Sequence, residues 1–150
     1  MAISSAICNT FKGELLEGKH NFSSGSGHTF KIALFTSSAS LGASTTDYST
    51  SNEITNTSGS AYSAGGKQLQ NPSVTGGSST TPAYVDFDDI SWTSASFTAN
   101  GALIYRSDNN LSNTDAVCVL AFGGDFTASN GTFTIQFPTA GGGSEILRLG

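Results

Sequence analysis

From residue 29 onward the apolar residues of this chain recur at every second position, in short runs separated by glycine, asparagine or proline. That pattern constrains the fold more than any other feature, because only a strand puts alternate side chains on one face. In the segment 29–36, Phe30, Ile32 and Leu34 share a face and Thr29 and Lys31 share the other, which predicts a half-buried strand. Further strands are predicted at 67–74, 83–87, 91–98, 102–106, 116–122, 132–137 and 145–149. The breakers between them are Gly76-Gly77, Pro82, Asn100-Gly101, Asp108-Asn109-Asn110, Gly123-Gly124, Asn130-Gly131 and Gly141-Gly142-Gly143. Asn-Gly beside a strand is a turn signal. About eight short strands of this kind predict an all-β fold, an antiparallel β-sandwich of jelly-roll-like form. The chain's 150 residues suit a single domain, and no repeat or linker divides it.

The front of the chain has a different period. Ile7, Phe11 and Leu15 recur every four residues with Cys8 alongside, while Lys12, Glu14 and Glu17 fall mostly off that stripe. With Ser4 or Ser5 as N-cap and Gly18 at the far end, one short N-terminal helix is predicted at about 4–17. Between the first strand and residue 67 lies a polar stretch, about 37–66, rich in Ser, Thr and Gly. Structureless loops of that length are uncommon in compact domains. The stretch is expected to be a surface arm anchored by Leu41, Tyr48, Ile54 and Tyr62, with a short strand near 53–55.

Composition limits the function. The 42 Ser and Thr residues and 18 Gly outnumber the charged residues, which are 11% of the chain with a formal net charge of −5. The six basic residues are scattered, so no phosphate backbone is traced and nucleic-acid binding is not expected. A surface of hydroxyls rather than charges fits a protein whose faces are occupied by neighbours, or one that works outside a cell. No run approaches the roughly 20 apolar residues that a bilayer-spanning helix needs. The opening MAISSAICNTFKGELLEG shows neither a basic region nor a continuous apolar stretch, so a signal peptide is not evident. Cys8 and Cys118 stand far apart and read as small buried residues of a chain folded in a reducing cytoplasm.

Chemistry is sparse. Only His20 and His28 could act as a catalytic base, and no G-x-S-x-G elbow accompanies them. Asp86, Asp88 and Asp89 could share a cation or serve as acid and base, but their spacing does not match a calcium loop. Asp86 and Asp88 are read as a solvated strand face opposite Phe87. A small hydrolase would need those carboxylates in a pocket near His20 or His28. The glycine-rich pieces at 23–27 and 141–144 lack the lysine and the strand-to-helix setting of a phosphate cradle. The expectation is no enzyme, no cofactor and no metal site.

Several stretches, taken together, resemble a family of small tailed-phage virion proteins. They are FKGELLEG at 11–18, HNF at 20–22, TFKIALFTSSA at 29–39 and YSAGG at 62–66. Later come YVDF at 84–87, GALIY at 101–105 and GTFTIQFP at 131–138. The resemblance covers nearly the whole chain and is one of texture and order rather than of a catalytic signature. It implies a structural component of the particle, in first place a capsid decoration (cement) protein and in second place a tail or fibre component binding host carbohydrate. The implied partners are further copies of the chain, a trimer by preference, and the major capsid protein. The implied location is the head surface of a virion assembled in the host cytoplasm, with no membrane partner. Contact residues are expected on the helix and the arm, at Phe11, Leu15, Leu41, Tyr48, Ile54 and Tyr62.

Overall fold

The computed structural model describes residues 2–55, 61–108 and 114–150. The fold is all-β, with two antiparallel sheets and one short helix. In chain order the elements are β1 (Ala6–Ile7), α1 (Asn9–Leu16), β2 (Phe30–Phe35), β3 (Lys67–Gln68), β4 (Ser73–Thr75), β5 (Ala83–Asp86), β6 (Ile90–Arg106), β7 (Ala116–Ile135) and β8 (Leu147–Leu149). The larger sheet has the order β1-β7-β6-β2-β3 and the smaller one β4-β5-β8. Their inner faces contribute to one core, in which Phe22 stacks on Phe30 at 4.3 Å and Phe87 meets both edge-on or tilted.

The helix is shorter than the apolar stripe suggested. Residues 6 and 7 are strand, paired with Val119 and Cys118. Cys8, not a serine, occupies the N-cap, and it makes no side-chain cap bond. Ser5 does other work: its Oγ accepts a hydrogen bond from the Ala121 amide. The backbone groups of residues 6 and 7 thus bond to β7 instead of a first helical turn. The C-terminal end is as expected. Gly18 donates to the Leu15 carbonyl and Lys19 to that of Glu14, the paired bonds of a Schellman stop.

The largest correction concerns the breakers. Asn100-Gly101, Gly123-Gly124 and Asn130-Gly131 do not end strands but lie inside β6 and β7. These two strands pair as one long hairpin, from Ile90↔Ile135 to Tyr105↔Ala116, with register shifts along the way. Gly101↔Ala121 is followed by Ala99↔Phe126, so β7 carries a bulge over residues 122–125. Gly123 there has φ 81° and Asn130 in the next irregularity has φ 49°. Eleven residues of straight strand span roughly 36 Å. Yet the rings of Phe122 and Phe133 lie 6.2 Å apart, so β7 bends sharply across its bulges. Residues that read as turns are therefore corners within strands. Gly101 has a steric reason instead: a Cβ there would stand 2.7 Å from Ile3 Cγ2 and 2.8 Å from the Leu120 carbonyl oxygen.

The segment 67–74 also divides. β3 joins the large sheet and β4 the small one, with Asn71 at φ 51° turning the chain between them. The acidic stretch leaves β5 after Asp86 and enters β6 at Ile90. Of the arm, residues 56–60 lie outside the described residues, as do Asn109 and Asn110 of one expected turn. Near 53–55 the arm makes a single bridge, Glu53 to Phe35, rather than a strand.

Candidate functional site: an apolar groove beside the helix

The six expected contact residues separate into two groups. Phe11, Ile54 and Tyr62 are buried in the chain's own core. Leu15, Leu41 and Tyr48 are half-buried and pack against that core. The arm is held by more than its apolar anchors. Glu53, itself buried, accepts hydrogen bonds from the Tyr48 and Tyr62 hydroxyls at 2.6 Å each and from the Gly65 amide at 2.7 Å. The Tyr62 hydroxyl in turn accepts from the Leu34 amide of β2. Tyr48 stacks on Tyr105 at 4.4 Å, and the Tyr105 hydroxyl donates to the Gly65 carbonyl. Burial first, and then the hydrogen bond to Glu53, pushes both Tyr48 and Tyr62 far above the ordinary tyrosine range, so both remain donors. A carboxylate with three donors inside a core is a structural clamp. Sequence reasoning named the tyrosines and missed Glu53, whose partners lie 5 to 12 positions away.

The open surface lies elsewhere. A groove of about 930 Å³ runs between α1 and the small sheet. Phe11, Leu15 and Leu16 line the helix side, and Val74, Leu147 and Leu149 line the sheet side. Leu16 is 90% exposed, and Val74 and Leu149 are also exposed. These are three of the four exposed large hydrophobic side chains among the described residues. The fourth is Phe126, 54% exposed, which with Phe122, Phe133 and Ile135 lines a second, shallower apolar depression on β7. One signal in the sequence pointed to the groove: Leu16 follows Leu15 directly and so falls off the buried stripe. Nothing local pointed to Val74 or Leu149.

The residues singled out for chemistry do not converge. Asp86 Oδ1 accepts from the Phe87 amide, Asp88 Oδ2 from the Asn71 side chain and Asp89 Oδ1 from the Phe137 amide. Each carboxylate caps a different piece of backbone or loop. His28 Nδ1 accepts from the Asn21 amide, and burial and then Arg106 hold its pKa below the ordinary value. His20 is buried against Phe11, with Nε2 2.7 Å from Glu14 Oε2. Both cysteines are buried and unpaired; burial pushes Cys8 up to about 11 and Cys118 higher still. Among the described residues no helix is long and apolar enough to cross a membrane.

Comparison of the chain with protein-family models, with curated proteins and with solved structures finds no match.

Proposed function

We propose that this chain is a structural protein of a tailed-phage virion, a capsid decoration (cement) protein that stabilises the head by surface contact. The observation that carries the reading is the groove between α1 and the β4-β5-β8 sheet, where Leu16, Val74 and Leu149 stand in water. A contiguous apolar patch on a protein with few charges is what an interaction face looks like. Burying each of those side chains would contribute roughly 1.5–3 kcal/mol. A symmetric shell repeats that gain at every site, so modest individual contacts suffice. The partners are further copies of the chain, as a trimer by preference, and the major capsid protein. No reaction, cofactor or nucleic acid enters this role. Supporting features are the all-β fold and the Glu53 network, which holds Tyr48, Tyr62 and Gly65 of the arm in place before contact.

The test is a comparison of particles with and without the protein. Particles lacking it should carry a complete shell that ruptures at lower temperature or lower osmotic stress, and purified protein added back should restore resistance. Adsorption to the host should not change. Stable heads that fail to attach to cells would overturn the reading in favour of a tail or fibre component binding host carbohydrate. One observation favours that second reading: Phe122, Phe126 and Phe133 form an aromatic depression on β7, a surface on which sugar rings can stack.

A further inference from the structure

Three side chains of metal-ligand type, from three parts of the chain, meet beside the helix. Glu14 comes from the last turn of α1, His20 from the turn that follows it, and Asp115 from the residue before β7. One ligand atom from each lies within 4.8 Å of the other two. We propose that Glu14, His20 and Asp115 form a binding site for a divalent transition metal of the zinc class, with water completing the coordination.

The donor set fits that class. Imidazole nitrogen and carboxylate oxygen bind zinc at about 2.0–2.2 Å, which places tetrahedral ligands roughly 3.3 Å apart. His20 Nε2 and Glu14 Oε2, at 2.7 Å, would separate slightly on binding, and Asp115 would close in. Glu14 is partly exposed, so its side chain can move and a cation can enter. His20 is the fixed member. Its side chain is wholly buried, with the ring 4.7 Å from Phe11 and 6.3 Å from Phe30. Its Nδ1 is buried and has no hydrogen-bond partner among the described residues, where packing and Glu14 aim the ring. An apolar wall of this kind around a polar centre strengthens the attraction for a cation.

Charge argues the same way. The site sets two carboxylates against one imidazole, and Asp47, bridged by its backbone to Asp115, adds a third acid to the surroundings. The nearby cations are committed to other partners. Arg106 is paired with Asp108 and donates to the Lys19 carbonyl, and the exposed Lys19 ammonium pairs with Glu17 at 2.6 Å. A metal here would tie the C-terminal turn of α1 to the entry of β7. The inference does not depend on which partner occupies the groove.

The experiment uses the full-length protein stripped of metal and titrated with Co2+ and, separately, with Zn2+. The expected results are visible d–d absorption that saturates at one Co2+ per chain, one-to-one Zn2+ binding by calorimetry, and a zinc-dependent rise in melting temperature that EDTA reverses. Glu14→Gln and Asp115→Asn keep the size of the side chains, and each should weaken zinc binding roughly tenfold or more. Their metal-free melting curves report whether they fold. Wild-type protein that shows no saturable one-to-one binding would overturn the proposal. So would folded variants that bind zinc as wild type does, because the metal would then sit elsewhere.

Discussion

The β6–β7 hairpin contains two environments in the same pair of strands. In its inner half, Ala102, Leu103, Ile104 and Tyr105 pair with Leu120, Val119, Cys118 and Ala116, and all but the half-buried Leu120 are buried, whichever way the side chain points. In its outer half the two faces differ. One carries Trp92, Phe97, Ala99 and their neighbours Phe133, Ala128 and Phe126. The other is a polar ladder: Ser91 bonds to Thr134 at 2.8 Å, Thr98 to Thr127 at 2.7 Å and Asn100 to Asp125 at 2.8 Å. The inner half is covered on both sides by the rest of the chain, whereas the outer half keeps its polar face in water and, at Phe126, part of its apolar face as well. The same sheet therefore serves as core at one end and as surface at the other, and the bulge at 122–125 marks the change.

Substitutions should break that comparison unequally. Leu103→Ala in the inner half should destabilise the protein by about 2–5 kcal/mol in chemical denaturation, because neighbours on both sides prevent the cavity from collapsing. Glu53→Gln should cost roughly 1.5–3 kcal/mol, since it removes the charge from three short hydrogen bonds while preserving volume. Gly123→Ala should cost about 1 kcal/mol: none of the described residues lies within 4 Å of the added carbon, so the effect is the strain of φ 81°. Thr98→Val in the outer ladder should change stability by less than about 0.5 kcal/mol. A Thr98 effect as large as that of Leu103 would show that the outer half is packed in a way the two-environment account denies. Cys8 and Cys118 should resist alkylation in native protein and react on unfolding, which separates local opening at β1 from global loss of structure.

The inner half was legible in the sequence because continuous runs such as Ala102–Tyr105 can only be core. The corners were not, and for a physical reason. A glycine or asparagine with positive φ is needed at a turn between strands and at a bulge within one, so Gly123-Gly124 and Asn130-Gly131 look alike in both cases. Phe11 was placed correctly on a buried stripe, but the start of the helix was not, since residues 6 and 7 pair with a strand more than a hundred positions away. The same distance hid the candidate sites. Leu16 meets Val74 and Leu149 only after the small sheet has formed, and Asp115 reaches Glu14 and His20 only through the hairpin. Asp86, Asp88 and Asp89, adjacent in sequence, were the conspicuous acids, and the fold sends their carboxylates to three different partners.

The central claim is that the groove between α1 and the small sheet is where this protein makes its contact. Its most direct test is to add wild-type protein or a Leu16→Glu, Leu149→Glu double variant back to particles that lack the protein, and to measure the temperature at which the shells rupture. Both sites are exposed, so the variant should fold and melt as wild type does. The account predicts that wild-type protein restores resistance and that the variant, equally folded, neither binds the particle nor protects it. A variant that binds and protects as well as wild type would contradict it.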